Sequence, residues 1–244
     1  MKDWFNEIGG ERELPASAMR DLLDAGFVVI PGFVATAQLA QLADAYDSAV
    51  AGAATPDLHI GSSTTRVHDF VNRGAAFDPL YVYRPMLAAC HRVIGQPFKL
   101  SSLLARTLRP HSPAQPLHVD FRADAEGWPM VGFIVMVDDF RKDNGATRFV
   151  PGSHRSPAIP GDVMKGPTAD PEGQVLACGA AGSVVVYNGS VWHGHTANSS
   201  DQPRRSIQGA YIRRTAQSSV NLPERMLPET LARIDPLAKY VLAV

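Results

Sequence analysis

Two short runs that are almost wholly apolar, VGFIVMV at residues 131–137 and VVVY at residues 184–187, indicate the type of fold. Strands that are buried on both faces have this composition. Further β-prone runs, separated by turn residues, lie around them: LSSLLARTL, QPLHVDF, TRFVP and RSIQGAYIR. Several short strands at such spacing predict an antiparallel sandwich or barrel from about residue 97 onward.

Helical patterns flank this β region. Residues 17–25 carry apolar side chains at helical spacing, with Ser17 as the expected N-cap and Gly26 as the end of the helix. The remaining expectations are a strand at 27–34 broken by Pro31-Gly32, a helix at 36–50, loops with one short strand at 52–78, a helical stretch at 79–95 in which Pro85 starts a new segment, and two short helices within 222–244.

The bulk composition fits one domain that binds a small molecule. The chain has 244 residues, of which 45% are hydrophobic, enough for one sizeable core. We expect a single domain over 1–244, with an N-terminal helical layer at about 1–96, a β core at about 97–215 and a helical tail at about 216–244. The formal net charge of -1 argues against nucleic acid or an anionic membrane as partner. A chain of this length suffices for a monomer, and a small homo-oligomer is the alternative.

The cysteines and the lengths of the apolar runs indicate the cellular compartment of the protein. Cys90 and Cys178 are far apart in apolar or small surroundings, so we expect both to be reduced and buried. The N-terminal residues lack the apolar core of a signal peptide, and no apolar run approaches the roughly 18 residues of a membrane span. These features predict a cytoplasmic protein.

The segment PLHVDFR carries the first candidate ligands. In a strand, residues two apart face the same way, so His118 and Asp120 would present an imidazole and a carboxylate side by side. Such a pair suits a metal, but a third ligand must come from elsewhere. The best source is His193 or His195, just after the buried 184–187 strand, and strand spacing alone does not choose between them.

Two histidines and one carboxylate leave several metal positions open, as in non-haem Fe(II) oxygenases. Zinc more often has a closed tetrahedral set or three ligands and a water. Iron with open positions can hold a bidentate 2-oxo acid and still accept O2. The far carboxylate of such a co-substrate needs a cation, for which an arginine is well suited.

Arg204 and Arg205 supply candidate cations, and because they are adjacent on a strand only one of them can face the interior. Ser206 would share the side of Arg204 and add a hydroxyl. Thr107, on the preceding strand, is a further candidate for a hydroxyl contact to the co-substrate.

Three segments together resemble the phytanoyl-CoA dioxygenase family of Fe(II)- and 2-oxoglutarate-dependent oxygenases. They are PLHVD, DNGATRFVPGSHR and VWHGHTANSSDQPRRSIQ, and the opening LLDAGFVVIPGFV is also similar. The resemblance covers roughly residues 18–215. It implies a mainly β fold with added helices, namely a double-stranded β-helix, or cupin-like jelly roll, with N-terminal helices packed on one sheet.

The resemblance also implies roles for individual residues. It makes His118, Asp120 and His193 the catalytic iron ligands and Arg204 the residue that grips 2-oxoglutarate, with Gly194 and Asn198 completing the family motif. One departure is His195, because family members commonly have serine there; we expect it to contact the co-substrate. The intact Asp120 argues against the halogenating variants, which lack this carboxylate.

The implied reaction oxidises, most simply hydroxylates, an unactivated C–H bond of a small molecule while 2-oxoglutarate and O2 give succinate and CO2. Nearby arginines make an anionic substrate one candidate. The residues expected to contact the substrate are Phe121, Arg122, Trp128, Arg66 and His68. Two alternatives stay open: a cupin-like metal enzyme that does not use 2-oxoglutarate, and a non-catalytic jelly-roll binding protein.

Overall fold

The computed structural model describes residues 2–11, 13–164, 166 and 169–244. Within them the helices are α1 (Trp4–Gly9), α2 (Ala16–Ala25), α3 (Leu39–Ala51), α4 (Arg84–Ile94), α5 (Pro160–Val163), α6 (Leu222–Arg225), α7 (Pro228–Arg233) and α8 (Pro236–Leu242). The strands are β1 (Phe27–Ile30), β2 (Leu58–Ile60), β3 (Thr64–Val67), β4 (Phe98–Leu108), β5 (Met130–Met136), β6 (Thr147–Phe149), β7 (Val175–Ala177), β8 (Val184–Asn188), β9 (His193–His195) and β10 (Arg204–Arg213).

Two antiparallel sheets form the β core. The larger sheet has seven strands in the order β1-β8-β5-β10-β4-β3-β2, and the smaller has three in the order β7-β6-β9. Most neighbouring strands come from distant parts of the chain, whereas β2, β3 and β4, and likewise β6 and β7, are consecutive. This architecture confirms the predicted mainly β fold with added helices.

The apolar strands β5 and β8 lie between two hydrophobic cores. Both of their faces are therefore buried, which explains why apolar and polar residues do not alternate in these strands. Side chains such as Phe133 and Val186 face the helices, whereas Ile134 and Val185 face the smaller sheet. All residues of β5 and β8 are buried, as predicted for strands that are covered on both faces. Helices α4 and α8 pack on the outer face of the larger sheet, which leaves its inner face for a site.

The helix boundaries mostly follow the predicted signals. Helix α2 ends at Gly26, which has a φ of 88° that favours glycine. Ser17 is not the N-cap, however: the helix already begins at Ala16, and Pro15 occupies the cap position. Proline before the first turn fixes an extended entry, so the serine lies inside the helix.

Several β predictions need correction. Residues 58–67 contain two strands rather than one, and β7 was not predicted because its residues are few and partly exposed. Residues 115–121 do not form a regular strand; only His118 makes a single antiparallel bridge. Cys90 is buried as expected, but Cys178 is exposed because it lies in the bend after β7.

Among the described residues, no helix has both the length and the apolar character needed to cross a membrane.

Candidate metal centre

The inner face of the larger sheet and the smaller sheet enclose a cavity of about 450 Å³. Strand β9 begins with His193, and the bridge to His118 is made by two backbone hydrogen bonds of 3.0 Å each. The backbone N–H of Asp120 donates to the carbonyl of Gly189 over 2.9 Å. These contacts, rather than a regular strand, bring His118 and Asp120 to one place.

The three side chains form a compact donor set. One candidate ligand atom from each of His118, Asp120 and His193 lies within 4.8 Å of the others. The Nε2 atoms of the two histidines lie 3.7 and 3.6 Å from the two carboxylate oxygens of Asp120. Two imidazoles and one carboxylate are the donors that non-haem iron uses, so the residues fit that metal.

Hydrogen bonds orient both imidazoles. Nδ1 of His118 lies 3.2 Å from the carbonyl of Pro116, and Nδ1 of His193 lies 2.9 Å from the carbonyl of Val191. A carbonyl only accepts, so Nδ1 carries the proton and Nε2 keeps its lone pair for a metal. Burial, followed by the charge of His193, lowers the pKa of His118 and favours its neutral, metal-binding form.

Arg204 lies in the same cavity and is almost fully buried, with 1% of its surface exposed. Its guanidinium stacks on the ring of Phe140 at 3.9 Å, and its Nε and Nη1 have no hydrogen-bond partner within the described part of the chain. Burial, with a smaller contribution from Arg106, lowers the pKa of Arg204 to about 9. A buried cation without an anion is costly, which indicates a site for a carboxylate.

Arg205 faces the other way. Its guanidinium binds Asp138 and Asp47, each at 2.7 Å, on the outer side of β10. Of the two adjacent arginines, the structure therefore places only Arg204 in the cavity.

Comparison with known proteins identifies the family. The profile of the phytanoyl-CoA dioxygenase (PhyH) family matches residues 22–206. The chain belongs to this family. It is therefore an Fe(II)- and 2-oxoglutarate-dependent dioxygenase, as the sequence predicts.

Curated relatives of this phytanoyl-CoA dioxygenase family member are fungal enzymes. It is 27% identical to the multifunctional dioxygenase prhA of Penicillium brasilianum, over 91% of this chain and 83% of the relative. It is 36% identical to the dioxygenase cdmA of Talaromyces verruculosus, but over only 41% of this chain and 35% of that protein.

Solved structures support the fold. The epimerase SnoN, in complex with Fe3+, alpha ketoglutarate and nogalamycin RO, has a TM-score of 0.67 at 22% identity and covers 90% of this chain and 91% of its own. HygX from Streptomyces hygroscopicus, with nickel and 2-oxoglutarate bound, has a TM-score of 0.67 at 17% identity and covers 84% of this chain and 89% of its own.

His195 lies beside the arginines of this dioxygenase. It lines the cavity, and its Nδ1 donates to the carbonyl of Thr196 over 2.9 Å. Burial lowers the pKa of His195 to about 4, and the charges of Arg106 and Arg204 add to this effect. The ring is thus neutral at pH 7 and lines the cavity near Arg106 and Arg204.

Arg106 is the main residue of the cavity that the sequence analysis missed. It is near the end of β4, and its Nη2 donates to Oε1 of Gln115 over 3.2 Å while its Nε has no partner in the described residues. Burial, followed by the charge of Arg66, lowers the pKa of Arg106 to about 10. The sequence feature that could have identified Arg106 is a charged residue between Leu104 and Leu108, at a position where the strand pattern favours an apolar side chain.

The two predicted hydroxyl contacts need correction. Thr107 is on the outer face of β4, where its hydroxyl lies 2.8 Å from that of Tyr46. It pairs with Arg205 in the strand register, so it shares the outward side of that residue. Ser206 does lie on the inward side, but its hydroxyl donates to the backbone carbonyl of Arg106 and does not line the cavity.

Most of the predicted substrate residues also lie elsewhere. Phe121 lines the cavity and is 44% exposed at its mouth. Arg122 and Trp128 line a separate cavity behind the metal segment, because the chain turns away after Phe121. Arg66, on β3, pairs with Arg106 of β4, and His68 follows the end of β3; neither Arg66 nor His68 lines the cavity.

The two other motif residues, Asn198 and Gly194, have structural roles in holding backbone segments together. Asn198 is fully buried and donates to the carbonyls of Arg109 and Gln202. A Cβ at Gly194 would lie 3.0 Å from the carbonyl oxygen of Pro116 and 3.1 Å from that of Gln115. Glycine therefore allows the segment that carries His118 to lie close against β9.

Proposed function

We propose that this dioxygenase hydroxylates an unactivated C–H bond of a small, largely uncharged molecule. The observation that carries the proposal is the placement of an unpaired, buried arginine, Arg204, in the same cavity as the candidate triad. A metal site that does not use an anionic co-substrate gives no reason for that buried charge.

His118, Asp120 and His193 are the proposed iron ligands. Their role is to hold the metal through two neutral imidazoles and one carboxylate, with the opposite side free. Bound iron and 2-oxoglutarate would supply the oxidising chemistry, in which 2-oxoglutarate, O2 and the C–H bond of the substrate give succinate, CO2 and the hydroxylated product. The surrounding protein orients the substrate and excludes water.

Arg204 and Arg106 are the proposed binding residues for 2-oxoglutarate. The charge of Arg106 contributes to the lowered pKa of Arg204, which shows that the two cations in the cavity repel each other. A dianion relieves this repulsion, because it brings two negative charges to two positive ones. His195, next to both arginines, is proposed to contact the same ligand.

The substrate is proposed to occupy the other part of the cavity. Its lining there combines apolar side chains with uncharged polar ones; they are Leu104, Met130, Ile134, Ala210, Ile212, Ser101, Ser102, Gln208 and residues 217–219. Neither Arg122 nor Arg66 lines this part, so the two arginines that suggested an anionic substrate no longer support one. The lining favours an apolar body with hydroxyl or carbonyl groups.

Ala210→Phe tests this placement of the substrate. The new ring fills the substrate part of the cavity, so succinate formation that depends on substrate falls about tenfold or more, because even one methylene of misfit in a pocket is worth about 1–3 kcal/mol. Binding of 2-oxoglutarate stays unchanged. Ala180→Phe, at an exposed position, is the control. Equal loss in both variants, or none in Ala210→Phe, would place the substrate elsewhere.

The proposed reaction is tested by measuring succinate from the purified chain with Fe(II), 2-oxoglutarate and air. We expect slow succinate formation without substrate, which stops when a chelator removes the metal and rises with a true substrate. Metal binding without any succinate would favour the alternative enzyme or the binding protein.

The chain is further proposed to act as one domain over residues 1–244. In support, α4, α8 and the larger sheet share one hydrophobic core. We propose a cytoplasmic location because Cys90 and Cys178 are both free thiols.

A further inference from the structure

Tyr187, near the end of β8, contacts two of the three candidate ligands. Its hydroxyl donates a hydrogen bond of 2.8 Å to Oδ2 of Asp120. Its ring lies against that of His193, with 4.8 Å between the centroids. The proposed function gives this residue no role.

Packing against neighbouring residues fixes the position of the Tyr187 ring. Tyr187 pairs with Gly132 on β5, and a Cβ at position 132 would overlap the Cζ atom of the tyrosine. On another side the ring packs against Phe149, with 5.7 Å between centroids. The position of the hydroxyl is therefore fixed by packing as well as by its hydrogen bond.

The direction of the hydrogen bond is also fixed. The phenol hydroxyl of Tyr187 supplies the proton of this hydrogen bond. An ionised carboxylate can only accept. Oδ2 of Asp120 therefore accepts the hydrogen bond from Tyr187, whereas Oδ1 accepts none from the residues that the structure describes.

We propose that Tyr187 is a positioning residue that makes Asp120 a monodentate ligand through Oδ1. Distance alone does not select one oxygen, because Oδ1 and Oδ2 lie 3.7 and 3.6 Å from the two imidazoles. Six-coordinate iron with three protein atoms and a bidentate 2-oxo acid has one position left. A second bond from Asp120 would compete with 2-oxoglutarate and O2 for the remaining positions, and the hydrogen bond from the tyrosine disfavours that second bond.

This inference rests on the proposed function, and Tyr187→Phe tests it because phenylalanine keeps the ring and removes only the hydroxyl. The control is Tyr211→Phe, which removes another buried hydroxyl, one that donates to the carbonyl of Tyr81 in the other core. Both variants and the wild type are titrated with Co(II) alone, and the Co(II) proteins are then titrated with 2-oxoglutarate. The visible d–d absorption of Co(II) reports its coordination shell.

In Tyr187→Phe we expect Co(II) to bind with a changed d–d spectrum, and 2-oxoglutarate to bind the Co(II) protein about tenfold more weakly. Tyr211→Phe should match the wild type in both. A wild-type spectrum and affinity in Tyr187→Phe, the same change in Tyr211→Phe, or complete loss of Co(II) from Tyr187→Phe alone would overturn the proposal. Failure of the wild type to bind Co(II) would instead overturn the proposed function, and this proposal with it.

Discussion

Replacing His193 with alanine abolishes iron binding, whereas replacing His195 leaves iron binding intact and weakens 2-oxoglutarate binding. Both histidines lie on β9, but only His193 has its Nε2 beside Asp120. We expect the iron affinity of His193→Ala to fall by more than about 100-fold, because a direct ligand matters more than the supporting residues whose loss costs 10–100-fold. For His195→Ala we expect about a tenfold loss of 2-oxoglutarate affinity, the value of roughly one hydrogen bond.

Iron affinity is measured by anaerobic titration and 2-oxoglutarate affinity by calorimetry on the metal-loaded protein. Each variant is the matched control of the other, since the two positions are two residues apart on one short strand. Equal loss of metal in both variants would show that the pair is wrongly assigned.

Replacing Arg204 with methionine weakens 2-oxoglutarate binding by about 100-fold or more. Loss of one partner of a buried charge pair costs about 2–5 kcal/mol. The empty protein should be no less stable, because the variant removes a buried charge that has unpartnered atoms and keeps an apolar stem on Phe140. Arg204→Met is thus expected to weaken 2-oxoglutarate binding without lowering the stability of the protein.

Thermal unfolding with and without 2-oxoglutarate measures both effects of Arg204→Met. In the wild type the ligand raises the midpoint through preferential binding to the folded state, and in the variant this increase disappears. Arg205→Met is the control: it removes the ion pairs with Asp138 and Asp47 but keeps the ligand-induced increase. An increase of wild-type size in Arg204→Met would show that another group anchors the co-substrate.

The candidate triad could be predicted from the sequence because His118 and Asp120 are two residues apart and His193 follows shortly after a buried strand. His118 and Asp120 do meet, but through a single bridge to His193 and a bond to Gly189 instead of a strand. An irregular segment held by distant backbone groups has no periodic signal in its own residues. The residues were therefore predicted correctly to lie together, for a partly wrong structural reason.

Side-chain direction on paired strands was harder to predict. Whether Thr107 or Arg106 faces the cavity depends on the register between β4 and β10, which includes an irregularity at Ala210/Tyr211. A shift of one residue exchanges the two faces of a strand. The loop after Phe121 was also assigned to the cavity, although Arg122 and Trp128 lie behind the metal segment, because an irregular loop has no period that shows where its side chains point.

The most direct test of the account is the visible spectrum of the anaerobic protein with Fe(II) and 2-oxoglutarate. We expect the weak charge-transfer band of a chelated 2-oxo acid in the wild type and no band in His193→Ala. For Arg204→Met we expect a band that forms only at much higher 2-oxoglutarate concentration. Absence of the band in the wild type, or an unchanged band in His193→Ala, would contradict the account.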